Sequence, residues 1–146
     1  MAVKRAGYEG ILYYGTAGST GATQLTNATD IEYTVDVSYA QTTARGDGTT
    51  IPIQDNRPDE LAPKLSWTMI QQDGDTALAA LIAAATHPTP SSHIVALRYK
   101  RVSGSLGYDG DMYISVTEGA PLKGAKTFKF TGVNTSDGGR TATLNS

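Results

Sequence analysis

From Ile31 onward the chain alternates. Ile31, Tyr33, Val35, Val37 and Tyr39 take one side, and Glu32, Thr34, Asp36 and Ser38 take the other. That period of two predicts a half-buried β-strand. "ELAPKLSWTMIQQ" alternates again, with Leu61, Leu65, Trp67 and Met69 on one side; Pro63 within it predicts an edge position or a bulge. A short strand, "GILYYG" (Gly10 to Gly15), precedes them. Three more follow, at His93 to Arg101, Asp111 to Glu118 and Ala125 to Val133. "GSLGYDG" reads as the hairpin connection between the first two of these, and "EGAPLKGA" joins the last two. One stretch switches period. After a capping Asp73 or Asp75, Leu78, Leu81, Ile82 and Ala85 recur at helical spacing, and Pro88 and Pro90 end the helix. Strands, one helix, then strands predict a single, mainly β domain over residues 1–146. Its expected form is two packed antiparallel sheets, as a β-sandwich or partly closed barrel, with one flanking α-helix.

The interruptions are as informative as the pattern. "VDVSYAQTTARGDGTTIPI" (Val35 to Ile53) starts as a strand and dissolves into Thr, Gly and Asp, predicting a long loop over residues 40–60. The chain also has an N-terminal arm (1–9) and a C-terminal tail (134–146), with one further strand at Arg140 to Leu144 behind a Gly-Gly hinge. The outer face of the helix is Ala79, Ala80, Ala83, Ala84 and Thr86, with no charge. An exposed helix face normally carries Lys or Glu. Two readings stand: a helix half-sunk in its own domain, or one packed against a neighbouring subunit through Ala80 and Ala83.

Composition sharpens the β assignment. The 146 residues include 20 Thr, 16 Gly and 8 Tyr, and Thr and Tyr suit pleated, half-buried surfaces. A net charge of −2 lacks the basic excess of a tight nucleic-acid binder. Zero Cys excludes disulfides, thiolate nucleophiles and Cys-based zinc sites. The N-terminus has two basic residues but no apolar run after them, and the longest apolar run, Ala77 to Ala85, is far shorter than a membrane span. A soluble chain made in the cytoplasm, with no membrane partner, is the expectation.

No catalytic constellation emerges. The loop "GTAGSTGATQL" lacks the Gly-Lys-Ser/Thr ending of a phosphate loop. Arg45-Gly46-Asp47 is a chance-level adhesion motif, since loops favour all three residue types. Asp73/Asp75 and Asp109/Asp111 lack the further ligands of a calcium loop and read as a helix cap and a turn. His87 and His93 flank a Pro/Ser turn with no nucleophile spacing. The chain reads as non-enzymatic, with no cofactor and no metal. What it does have is strand edges with sparse charge to blunt them, and such edges are paired with another chain or become a liability. Closed rings or filaments of identical copies remove them.

The ordered set "GILYYGTAG", "NATDIEYTVDVSYAQTTARGDG", "KLSWTMIQQDGDTALAALIAAA" and "DGDMYISVTEGAPLKGAKTFKFTGV" resembles the tail tube proteins (major tail proteins) of long-tailed, siphovirus-like phages. The resemblance spans roughly Gly10 to Val133. It departs at Ile51 to Pro63, which is richer in Pro and Asp than the family pattern. It implies the tail-tube fold: two packed β-sheets with one flanking helix. Six subunits would close into a ring whose inner sheets form one barrel, and stacked rings would conduct the genome into the host. The virion tail, assembled in the host cytoplasm, is the implied location. Partners would be other copies of the chain, a tape-measure protein, a tail terminator, a distal tail component and an assembly chaperone, with DNA in non-specific transit.

By match, the loop that reaches neighbouring subunits or rings maps to Gln41–Ile53. Its candidate contacts are Gln41, Thr42, Thr43, Arg45, Asp47, Thr49, Ile51 and Ile53. The N-terminal arm and Arg140–Ser146 would help stacking. DNA slides best along a neutral-to-acidic wall, because Lys/Arg contacts to phosphate bind any duplex. On strand alternation, Glu32 and Asp36 are expected to face the lumen, with Asp111 and Glu118 as further candidates. The alternatives are an inner-tube protein of a contractile tail or secretion system, and a capsid-decoration or carbohydrate-binding β-sandwich.

Overall fold

The computed structural model describes residues 10–41, 51–102 and 105–145. Eight strands run β1 (Ile11–Thr16), β2 (Thr23–Gln24), β3 (Ala28–Gln41), β4 (Asn56–Ile70), β5 (Ile94–Val102), β6 (Ser105–Gly119), β7 (Thr127–Thr135) and β8 (Thr143–Leu144). The helix α1 (Thr76–Ala85) and a 3-10 turn (Pro90–His93) lie between β4 and β5. All pairings are antiparallel, in the order β2-β1-β5-β6-β7-β4-β3, with β8 added to β6.

The two expected layers are the two ends of this one sheet. Neighbouring strands are about 4.8 Å apart, so in a flat sheet β3 would lie some 19 Å from β5. Yet the Tyr33 ring of β3 lies 5.5 Å from that of Tyr99 on β5 and 5.8 Å from that of Tyr108 on β6. The sheet has curled until its ends face each other. Between them sit Leu12, Leu65, Trp67, Met69, Leu97, Met112, Ile114, Phe128 and Phe130. Trp67 stacks on Phe130 with centroids 5.3 Å apart; both are fully buried. α1 closes the core through Leu78, Leu81 and Ala85, packing against β5 and β6. Asp75 caps it, its carboxylate accepting from Leu78 N at 3.1 Å.

Several local expectations need correction. "GSLGYDG" is mostly strand, because β6 begins at Ser105 and pairs with β5 almost at once. The 40–60 loop is shorter than expected: β3 runs to Gln41 and β4 starts at Asn56, with Gln41 opposite Asn56. Pro63, by contrast, does stand at an edge position: it faces Val35, one residue beyond Lys64, where pairing with β7 begins, so there β4 has a neighbour on one side only among the described residues. Asp109 and Asp111 lie within β6, not in a turn.

Candidate assembly surfaces

The β3–β4 hairpin outgrows the sheet. From Lys64 towards Ile70, β4 is held by β3 on one side and β7 on the other. From Pro63 back to Asn56 it has β3 alone among the described residues. The result is a two-stranded ribbon, Val35–Gln41 against Asn56–Pro63, extending roughly 20–25 Å at strand rise. The alternation seen in sequence continues along it, but the core does not. Ile31, Tyr33 and Val35 are half-buried, whereas Val37, Tyr39 and Leu61, on the same face, are 37%, 63% and 58% exposed. Ile51 and Ile53 beyond them are exposed as well. A two-stranded ribbon without a third layer is marginal in water, and an uncovered apolar face marks a contact surface. Of the loop residues singled out from sequence, Gln41 ends β3; Thr42, Thr43, Arg45, Asp47 and Thr49 lie outside the described residues, as does the N-terminal arm.

A second surface is α1. Ala79, Ala80 and Ala83 are exposed, with no charge beside them on the helix. An open cavity of about 360 Å³ lies next to this face, walled by Tyr14, Gly15, Thr16, Thr23, Ala80, Leu81 and Val95.

The third is the polar face of the β6–β7–β4–β3 half. Register places Glu32, Thr34 and Asp36 of β3 beside Lys64 and Ser66 of β4, then Lys129 and Thr131 of β7, around a shallow groove. Lys64 pairs with Asp36 at 2.9 Å, both about half exposed, a contact worth at most about 1 kcal/mol. Glu32 and Asp36 thus share one face, and lysines are interleaved with them.

Asp111 lies on the same side of the sheet by register but is covered there, and Glu118 lies on the other side. Asp111 is fully buried. It points to the outer side of β6, where the C-terminal tail folds over it. Its carboxylate accepts from Gly18 N at 3.0 and 3.2 Å and from Arg140 Nε at 3.1 Å, while Arg140 Nη1 reaches Asp109 at 2.8 Å. Burial works against the Arg140 charge, but its bonds to both carboxylates outweigh that and raise its pKa. Alternation could not reveal this site, because the cover comes from residues far along the chain. Glu118 is exposed but lies opposite Phe128, on the core side of the sheet, and pairs with Lys126 at 3.6 Å. The tail is likewise no free arm over its described part: Arg140 is anchored, and β8 pairs with Tyr108 and Asp109.

Two of the open strand edges stand out among the described residues. β3 ends the sheet order, and Ser115–Gly119 of β6 extend past β5 with no strand on that side among the described residues. Both edges border the polar face.

No protein-family model matches the sequence, and no curated protein matches it. Solved structures do. The tail of an empty gene transfer agent (GTA) particle, obtained by helical refinement with C6 symmetry, superposes with a TM-score of 0.71 at 10% identity, covering 98% of this chain and 100% of the other. The SPP1 tail tube gives 0.61 at 11% identity, over 97% and 78% of the two chains. A chain of the PVC sheath-tube complex, an extracellular contractile injection system in its extended state, gives 0.54 at 11% identity, over 94% and 89%. From end to end of its described sheet, this chain has the tail-tube fold.

Proposed function

We propose that the chain is the repeating subunit of a phage tail tube, a structural and not a catalytic protein, which stacks as rings into a conduit for the genome. The observation that carries this reading is the β3–β4 ribbon: a long hairpin with an apolar face that no other described residue covers. The open edges supply the ring contact. In this reading the β3 edge of one copy pairs with Ser115–Gly119 of β6 in the next. The β6–β7–β4–β3 faces then run on as one wall, with Glu32 and Asp36 towards the lumen. Strand addition of this kind draws its affinity from main-chain hydrogen bonds and its order from side-chain register. Thr and Ser, with Lys64 held by Asp36 and Glu32 beside them, give a wall with little net grip on phosphate.

The C6 symmetry of the gene transfer agent tail supports six copies per ring. Tube terminators and caps among the similar structures support a terminator partner. Tape-measure, distal tail and chaperone partners follow from the same reading, as does assembly in the host cytoplasm. An inner tube inside a contractile sheath is the second reading, favoured by the sheath-tube neighbour, though the overlap with the gene transfer agent tail is closer. The test is assembly: wild-type protein should form tubes, while a Val37→Asp/Leu61→Asp variant should stay a folded monomer by sedimentation velocity and circular dichroism. Tubes formed by that variant would remove the ribbon from the contact.

A further inference from the structure

Building on the tube reading, we infer that the two uncharged surfaces of this chain are the halves of one head-to-tail contact. The apolar face of the β3–β4 ribbon in one copy seats on the alanine face of α1, and in the cavity beside it, in the next copy.

The two surfaces match in charge and in shape. Val37, Tyr39 and Leu61 share one face of the ribbon and Asp36 and Glu60 point to the opposite side, with Asp59 at the register shift between Ser38 and Tyr39. α1 has no charged side chain along its length. Seating Val37, Tyr39 and Leu61 on α1 buries no charged side chain among these contact residues, and so avoids the usual penalty of stripping water from an ion. The ribbon is a ridge of large side chains. The helix offers methyl groups that allow close approach, and the neighbouring cavity of about 360 Å³ is open to an aromatic tip such as Tyr39.

The occupant is a second copy. Within one chain α1 packs on β5 and β6, while the ribbon is carried by the strands at the far end of the sheet order. Donor and acceptor are different patches of one molecule, so the contact is heterologous and repeats from copy to copy, giving rings or filaments. Ribbon-to-ribbon pairing would instead stop at a dimer.

The chain has no cysteine, so engineered thiols report one contact at a time. A chain carrying Leu61→Cys and Ala80→Cys is assembled, treated with a short bismaleimide and run under denaturing conditions. A Tyr39→Cys/Ala83→Cys chain repeats the test with independent side chains. The expected result is a ladder of covalent multimers from each double variant and none from any single variant. Tubes visible by electron microscopy without a ladder from either pair would overturn the docking site and leave the tube reading standing. Linked dimers from Leu61→Cys alone would overturn it in favour of ribbon-to-ribbon pairing. Failure of wild-type protein to form tubes would overturn the tube reading, and this contact with it.

Discussion

Tyr33 and Tyr99 stand on strands four places apart in the sheet, and their rings are 5.5 Å apart. Tyr108 completes the group, its ring 5.8 Å from Tyr33 and its hydroxyl donating to Asn134 Oδ1 at 2.6 Å. This cluster is where the curled sheet meets itself.

The cluster makes the fold sensitive to alkali. Burial raises the pKa of Tyr33 and raises that of Tyr108 further. Both stay protonated in the folded chain at a pH where the unfolded chain has lost the proton. Their contribution is complete below the unfolded value of about 10 and is lost as pH rises through the folded values. Stability should fall above about pH 10, by up to about 1.4 kcal/mol per pH unit for Tyr108 and by less for the half-exposed Tyr33, where solvent screens the effect. Urea titrations from pH 8 to 11 read this directly. Tyr108→Phe should lose about 1 kcal/mol at pH 8 with the Asn134 bond, and fall less steeply above pH 10.

Arg140→Ala should destabilise the subunit by about 3–5 kcal/mol. It leaves Asp111, which is fully buried, without its cation, the usual magnitude for breaking one side of a buried pair. Arg140→Lys should recover part of the loss, since an ammonium cannot reach Asp109 and Asp111 at once with the fork that Arg140 uses. Chemical denaturation of the three proteins makes the comparison.

Gly138→Ala tests the same clasp sterically. A Cβ there would stand 2.1 Å from Asp111 Oδ2, and that carboxylate is fixed by Gly18 and Arg140. The tail would have to lift, at about 1–3 kcal/mol. Gly139→Ala meets no atom, but its φ of +101° makes it a purely backbone control. The melting temperature of each variant separates the two effects.

Ala80→Glu with Ala83→Glu should leave the melting temperature of the monomer within a few degrees, because both positions are exposed. If α1 is a subunit contact, the variant should not polymerise at concentrations where wild type does, as read by light scattering.

Much of the fold was legible because alternation and helical period report one-sided burial. β3, β4 and α1 follow from local residues alone, as does a cap at Asp73 or Asp75, which the structure resolves to Asp75. What was not legible depended on distant partners. Val37 and Leu61 carry the same pattern as Val35 and Leu65, and only the end of the β4–β7 pairing, at Lys64 opposite Val133, separates covered from uncovered. Asp111 reads as an exposed strand carboxylate until the tail residue Arg140 and the loop residue Gly18 close over it. The uncharged helix face was legible as a surface, since it needs only the residues of α1; its partner was not.

The central claim is self-assembly through the ribbon, and negative-stain electron microscopy of the purified chain across a concentration series tests it most directly. The account predicts hollow tubes, or six-fold rings at lower concentration, that disappear in the Val37→Asp/Leu61→Asp variant. Compact monomers at every concentration, or tubes unchanged in that variant, would contradict it.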